Sequence, residues 1–424
     1  MRYYQRVILP DSSVLLYHKS DVFKTSIFNC YQYHTPITWQ DQLCQSALGT
    51  LRLRSTKHFP TFSDLSRGLD ELYSANLSLN RVASNRSAAQ FALGKYISEI
   101  FLPEKMDVLG GLLLIFNDVL FDLKRGKDGN LYDRYLSYFK KDFEDSAALT
   151  QTEFSAYVTS RVNRILFEDS PFILSGKETE ALTLLPELGI RQITAFYDRM
   201  ENESVRYYLY DGEDEMERVR EKILSCLKPQ NPDAAFTLGT YLRPVRTDFS
   251  EVEESRTFQQ SFAYLSYRLP SNRPDMTTRL FHLILGGSPT SKLFAHVREE
   301  QGLCYSVQSR AMFSQGLMTL KCQTNAAHAK QAQFAMHEEF VQMQKGNFTA
   351  TELENAKKFL ISSILETKDD PEQLAGNGIE CALRGEDLDL ENECESVKSV
   401  TKDDIVSLAR AMTPDTAYRM LGSE

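Results

Sequence analysis

One pattern occurs twice in the chain, and it narrows the fold more than any other feature. LDELYSANLSLNRVASNRSAAQFALGKYI begins at Leu69, and VREEQGLCYSVQSRAMFSQGLMTLKCQTN begins at Val297. Each segment runs from a helix end with acidic residues, through a short turn, into two strands joined by a polar turn. Each then enters an apolar helix. The offset is roughly 230 residues, far longer than a solenoid period, so the pattern reads as a duplicated domain. Each copy predicts an antiparallel sheet with helices packed on one face, an α+β architecture. Lys228-Pro229-Gln230-Asn231-Pro232-Asp233 separates the copies, because its prolines propagate neither a helix nor a central strand. The expected domains are therefore 1–228 and 234–424.

Within the first copy, strands are predicted at 6–9, 14–17 and 25–33, from β-branched and aromatic enrichment. Leu43, Ala47, Leu48 and Leu51 recur at helical steps over 38–53. Thr61 is placed to cap the next helix. Strands at 76–83 and 87–97 lead to a helix over 105–120, and a strand at 204–210 closes the copy. The second copy repeats the order with strands at 260–268, 305–313 and 316–324 and helices between them. Thr349 with Glu352 forms a capping-box pattern opening a long helix, and Thr401 opens the last one.

Composition excludes several classes. A net charge of −10 argues against nucleic acid as the primary partner, since phosphate binding needs a basic surface. No run reaches the roughly 18 apolar residues of a membrane span, and the N-terminus shows no apolar secretory core. Seven scattered cysteines, none in a close CxxC pair, suit reduced thiols and a cytoplasmic location. There is no G-x-S-x-G elbow and no phosphate-binding glycine loop. Cys304 lacks a neighbouring histidine pair and reads as a packed thiol.

The stretch 283–310 carries the chemistry. Leu283-Ile284-Leu285 is followed by the turn Gly286-Gly287-Ser288-Pro289, then by Ser291-Lys292-Leu293-Phe294, Val297-Arg298-Glu299 and Gly302-Leu303-Cys304-Tyr305-Ser306. Arg298 falls near a helix end and Tyr305 at a strand start. They present a guanidinium fork and a phenol, both donors to a carbonyl oxygen. In this order the string resembles the C-terminal signature of the pitrilysin/insulinase family of zinc peptidases. The resemblance extends over nearly the whole chain. It implies that Arg298 and Tyr305 grip a substrate backbone beside zinc, that Gly286 and Gly287 border the substrate, and that the edge of the strand starting Asn76, Leu77, Ser78 receives peptide.

The same resemblance exposes a loss. The family's zinc needs two histidines four apart on a helix, with a glutamate between them as general base. Ser55-Thr56-Lys57-His58-Phe59-Pro60-Thr61 and Leu69-Asp70-Glu71-Leu72-Tyr73-Ser74-Ala75 match the segments that follow this motif. Counting back, the histidine positions fall on Ser46 and Thr50, and the base position on Gly49. Hydroxyls are poor neutral zinc ligands, and glycine supplies no base. No two of the seven histidines are four apart. His58 reads as solvated, and Asp142 and Glu144 lie where a third ligand would fall.

What remains is the Arg/Tyr half of a site without the zinc half. The resemblance implies a two-chain bacterial metallopeptidase. This chain would be the non-zinc subunit and hold no cofactor. A homologous partner would carry the zinc, and a peptide would be the substrate. The alternative is a non-catalytic scaffold or peptide-binding protein of the same fold.

Overall fold

The computed structural model describes residues 2–84, 87–239, 249–271 and 273–423. Six strands, β1 (Gln5–Ile8), β2 (Val14–Lys19), β3 (Thr25–His34), β4 (Asn76–Ala83), β5 (Ala88–Ile97) and β6 (Val205–Gly212), form a sheet in the order β1-β2-β6-β3-β5-β4. Five more, β7 (Ser250–Arg256), β8 (Ser261–Arg268), β9 (Ser306–Met312), β10 (Leu317–Thr324) and β11 (Thr413–Gly422), form a second sheet in the order β7-β11-β8-β10-β9.

Leaving β1 aside, the second order reproduces the first strand for strand. β4 and β9 are the matching outer edges. The two parallel pairs also coincide, β2 with β6 and β7 with β11. All other neighbours are antiparallel. The expectation of wholly antiparallel sheets is thus corrected at one pair in each. There, long helical segments separate the paired strands, and a crossover connection permits parallel pairing.

Local chemistry sets the helix starts. Thr38 caps the helix Trp39–Arg52 by accepting from the Asp41 amide, and Thr61 caps Phe62–Asp70 in the same way through Asp64. Thr349 and Glu352 close a full capping box on Ala350–Glu366. Pro371, placed as a breaker, also starts the helix Pro371–Leu383 from its first turn, where a missing N–H costs nothing. Among the described residues no helix is long and apolar enough to cross a membrane.

Each half also sends one helix across to the other. Phe154–Phe167, from the first half, buries Tyr157, Val158, Val162 and Leu166 in a cluster with Phe262, Tyr264 and Tyr418 of the second sheet. Pro371–Leu383, from the second half, packs on β6, and its Leu374 and Ile379 share a cluster with Tyr4, Tyr31 and Leu209. A Cβ on Gly378 would lie 2.7 Å from the Tyr4 ring, so the close crossing needs glycine there. Glu254 on β7 accepts from Arg161 at 2.9 Å, from Tyr157 at 2.9 Å and from Tyr418 at 2.6 Å. These donors hold its carboxyl below the usual range although burial acts against them. The segment between the halves is pinned as well: Gln230 is buried, accepts from the Arg206 amide at 2.6 Å and donates its own amide to Asp11 at 2.8 Å.

Candidate functional site

The helix Trp39–Arg52 carries Ser46, Gly49 and Thr50, the three positions that the resemblance aligns with a zinc motif. Ser46 is buried, and its hydroxyl donates to the Gln42 carbonyl at 2.8 Å, one turn back in its own helix. Gly49 faces β4, where a Cβ would lie 3.5 Å from Nη1 of Arg81. Thr50 is half-buried, and its carbonyl accepts from Arg54 at 3.5 Å. Asp142 and Glu144 are exposed on the helix Leu136–Thr152.

A different set of donors could hold a metal. His58, Asp118 and Asp122 bring one ligand atom each to within 4.8 Å of one another. His58 is exposed, as a solvated histidine would be, but Nδ1 lies 2.8 Å from the buried Asp118 carboxylate. Both carboxylates already have partners within the chain. Asp118 accepts from the Thr56 hydroxyl at 3.3 Å and the His58 amide at 3.1 Å, and Asp122 pairs with Lys57 at 3.3 Å. The network ties the loop 55–59 to the end of the helix Val108–Phe121.

Arg298 and Tyr305 stand at the other edge. Arg298 sits in the last turn of the π-helical segment Leu293–Glu300, with its guanidinium carbon 4.5 Å from the Phe294 ring centre. The flat cation over a ring face fixes the direction of the fork while its donors remain in water. Tyr305 immediately precedes β9. Its amide donates to the Gln323 carbonyl at 2.8 Å, which anchors the backbone, and the side chain is 62% exposed. An exposed phenol held by its own backbone is suited to meet something outside the chain.

Cys304 sits against Cys322, and that thiol contact, joined by the Arg298 charge, lowers its proton affinity. Both cysteines are free. Gly286 and Gly287 lie beneath this edge for reasons of packing. A Cβ on Gly286 would sit 2.7 Å from the Ser309 amide, and one on Gly287 would sit 2.6 Å from the His282 ring.

Among the described residues β4 is the outer strand of its sheet and pairs only with β5. Its residues alternate. Leu77 and Leu79 pack against the first-half core, while Asn76, Ser78 and Val82 line a cleft of about 630 Å³. Tyr31, Tyr33 and Phe91 floor this cleft, Ile379 and Leu383 wall it from the crossing helix, and Met312 and Phe313 reach it from the second half. Neither Arg298 nor Tyr305 is part of that lining. The sequence places Asn76, Leu77 and Ser78 on one strand, and the structure divides them between two faces.

Arg81 is the residue that sequence reasoning missed. It is one of many basic residues in the chain, and only the approach of β4 to Gly49 singles it out.

Residues 212–360 match the family described as Peptidase M16 inactive domain. The chain is 22% identical over 413 residues to a probable inactive metalloprotease, YmfF, of Bacillus subtilis (strain 168), covering 96% of this chain and 95% of that one. It is 30% identical over 142 residues to an uncharacterized zinc protease, YmxG, of the same organism, covering 32% of this chain and 35% of that one. Among solved structures it is similar to a conserved protein from Enterococcus faecalis V583, with TM-score 0.86, 17% identity and 99% of both chains covered. It is also similar to a peptidase M16 inactive domain from Pseudomonas fluorescens, with TM-score 0.80, 16% identity, and 99% of this chain and 98% of that one covered.

Proposed function

We propose that this chain, an M16 peptidase-like protein of the inactive type, is the non-zinc subunit of a two-chain metallopeptidase. The observation that carries the reading is the exposed Arg298/Tyr305 pair, fixed by Phe294 stacking and by backbone anchoring, in a chain whose zinc positions hold Ser46, Gly49 and Thr50. A homologous partner supplies the metal, the water it activates and the general base. Arg298 and Tyr305 donate to the substrate carbonyl and to the oxyanion that develops from it. β4, whose outer edge has no strand partner among the described residues and lies beside an aromatic cleft, pairs with the peptide backbone. Such pairing tolerates many sequences, because main-chain groups supply the contacts.

Reconstitution with a homologous zinc-bearing subunit tests the reading. Tyr305→Phe removes one hydroxyl and keeps the ring, so assembly persists while turnover falls by about 10²–10³-fold, the usual cost of one oxyanion donor. Arg298→Ala behaves likewise, and Arg298→Lys fails to restore the rate because a point charge does not reproduce the planar fork. The chain purified alone carries no stoichiometric zinc in metal analysis. Wild-type turnover in both Tyr305→Phe and Arg298→Ala would make the chain a scaffold instead.

A further inference from the structure

We infer that Arg81 forms a carboxylate-binding site where the general base of a zinc peptidase would stand, and that the carboxylate belongs to a peptide lying along β4. This rests on the peptide-binding reading above and adds a chemical preference to it. Arg81 lies across from Gln90 in the β4–β5 register. Residues directly opposite in an antiparallel pair share a face, so Gln90 would be the nearest side-chain acceptor. That acceptor is taken: the buried Arg52 donates to Gln90 Oε1. The Arg81 side chain makes no hydrogen bond, ion pair or ring contact with any described residue. Its side chain turns toward the helix Trp39–Arg52, where Gly49 leaves open the space a larger side chain would fill. Arg81 remains exposed to solvent, and packing of its guanidinium against the helix weakens its hold on the proton. A guanidinium so placed is stabilised by an anion, and its fork matches a carboxylate in two parallel hydrogen bonds. The same positive charge opposes a divalent metal at this place.

Two carboxylates are available on a peptide: its C-terminus, or an aspartate or glutamate side chain. Fluorescence anisotropy on the full chain separates them, with short labelled peptides that are free acids, C-terminal amides, or amides bearing an internal glutamate. Arg81→Gln is expected to weaken whichever carboxylate-bearing peptide is used by about tenfold or more, the scale of a charge-assisted hydrogen bond. It should leave an uncharged amidated peptide unchanged. Arg81→Lys should recover only part of the loss. Equal weakening of all peptides, or of none, overturns the inference. If alternate N-methylation of the peptide abolishes binding while Arg81→Gln does nothing, strand addition stands and the carboxylate site falls alone.

A second measurement needs no peptide. Gly49→Glu and Gly49→Gln differ only in charge at the position facing Arg81. Gly49→Glu should melt about 2 °C or more above Gly49→Gln. That gap should vanish in an Arg81→Gln background. Should no peptide bind the wild-type chain, the peptide reading falls and the peptide half of this inference falls with it. A missing gap then also removes the anion site.

Discussion

His34 and His282 are held neutral by the fold. Burial lowers the pKa of each from 6.5 to about 4, and the Arg310 charge acts in the same direction on His282. His34 Nδ1 meets the Thr35 carbonyl at 3.1 Å, and His282 Nδ1 meets the Ser309 hydroxyl at 2.7 Å. A histidine whose folded pKa is depressed binds fewer protons folded than unfolded across that window. Its stabilising contribution is present above pH 6.5 and is lost as pH falls toward 4. Denaturant melts should therefore show stability declining between pH 6.5 and 4. A His34→Gln/His282→Gln variant should show a shallower decline over the same range. An unchanged slope would mean that other groups carry the acid sensitivity. The same scale separates histidines that look alike in sequence: His58 is exposed against a carboxylate, while His282 supports the strand beside Tyr305.

β4 shows how one element carries two roles. Its inward face secures the helix side through Leu77 and Leu79, and its outward edge has no strand partner among the described residues. An unprotected edge invites pairing with another chain. The charged sequence of β7, SEVEESR, is what a guarded edge looks like; β4 carries one charge, Arg81. If peptides add to β4, replacing alternate peptide N–H groups with N-methyl should cut affinity at least tenfold in one register and little in the other, since alternate residues face the strand. Equal binding of both N-methylated series would exclude strand addition. Leu77→Pro should also weaken binding, and circular dichroism must show that variant folded.

At the scale of the molecule, the reciprocal helix exchange decides how the chain behaves. The helix Phe154–Phe167 belongs to the first half by sequence and to the second sheet by packing. The halves 1–228 and 234–424, proposed as domains from the linker, each leave an apolar helix uncovered when parted. Leu166→Ala, removing a buried side chain from that crossing, should cost about 2–5 kcal/mol. Because the helix bridges the halves, calorimetry should show one cooperative transition shifted as a whole. Two resolved transitions, with only one moved, would show that the halves unfold independently.

The sequence by itself determined the elements and their repetition. Strand β4 and the capped helices at Thr38, Thr61, Thr349 and Thr401 follow from local chemistry that needs no distant partner. Periodicity and the turn between strands were enough to expose the duplication. Sequence reading assigned no element to β7 or β11. β7 is a charged edge, and β11 opens with Thr413-Pro414-Asp415, so neither shows strand alternation; pairing of β7 with β11, and of β11 with β8, makes them strands. The pair Arg298 and Tyr305 was legible because it lies in one short stretch. Arg81 against Gly49, Asp118 against His58, and the two crossing helices were not. Each joins residues dozens to hundreds of positions apart, and such contacts come into being only when the sheets twist and the helices dock. Local patterns record what a residue prefers, while the tertiary structure decides what it meets.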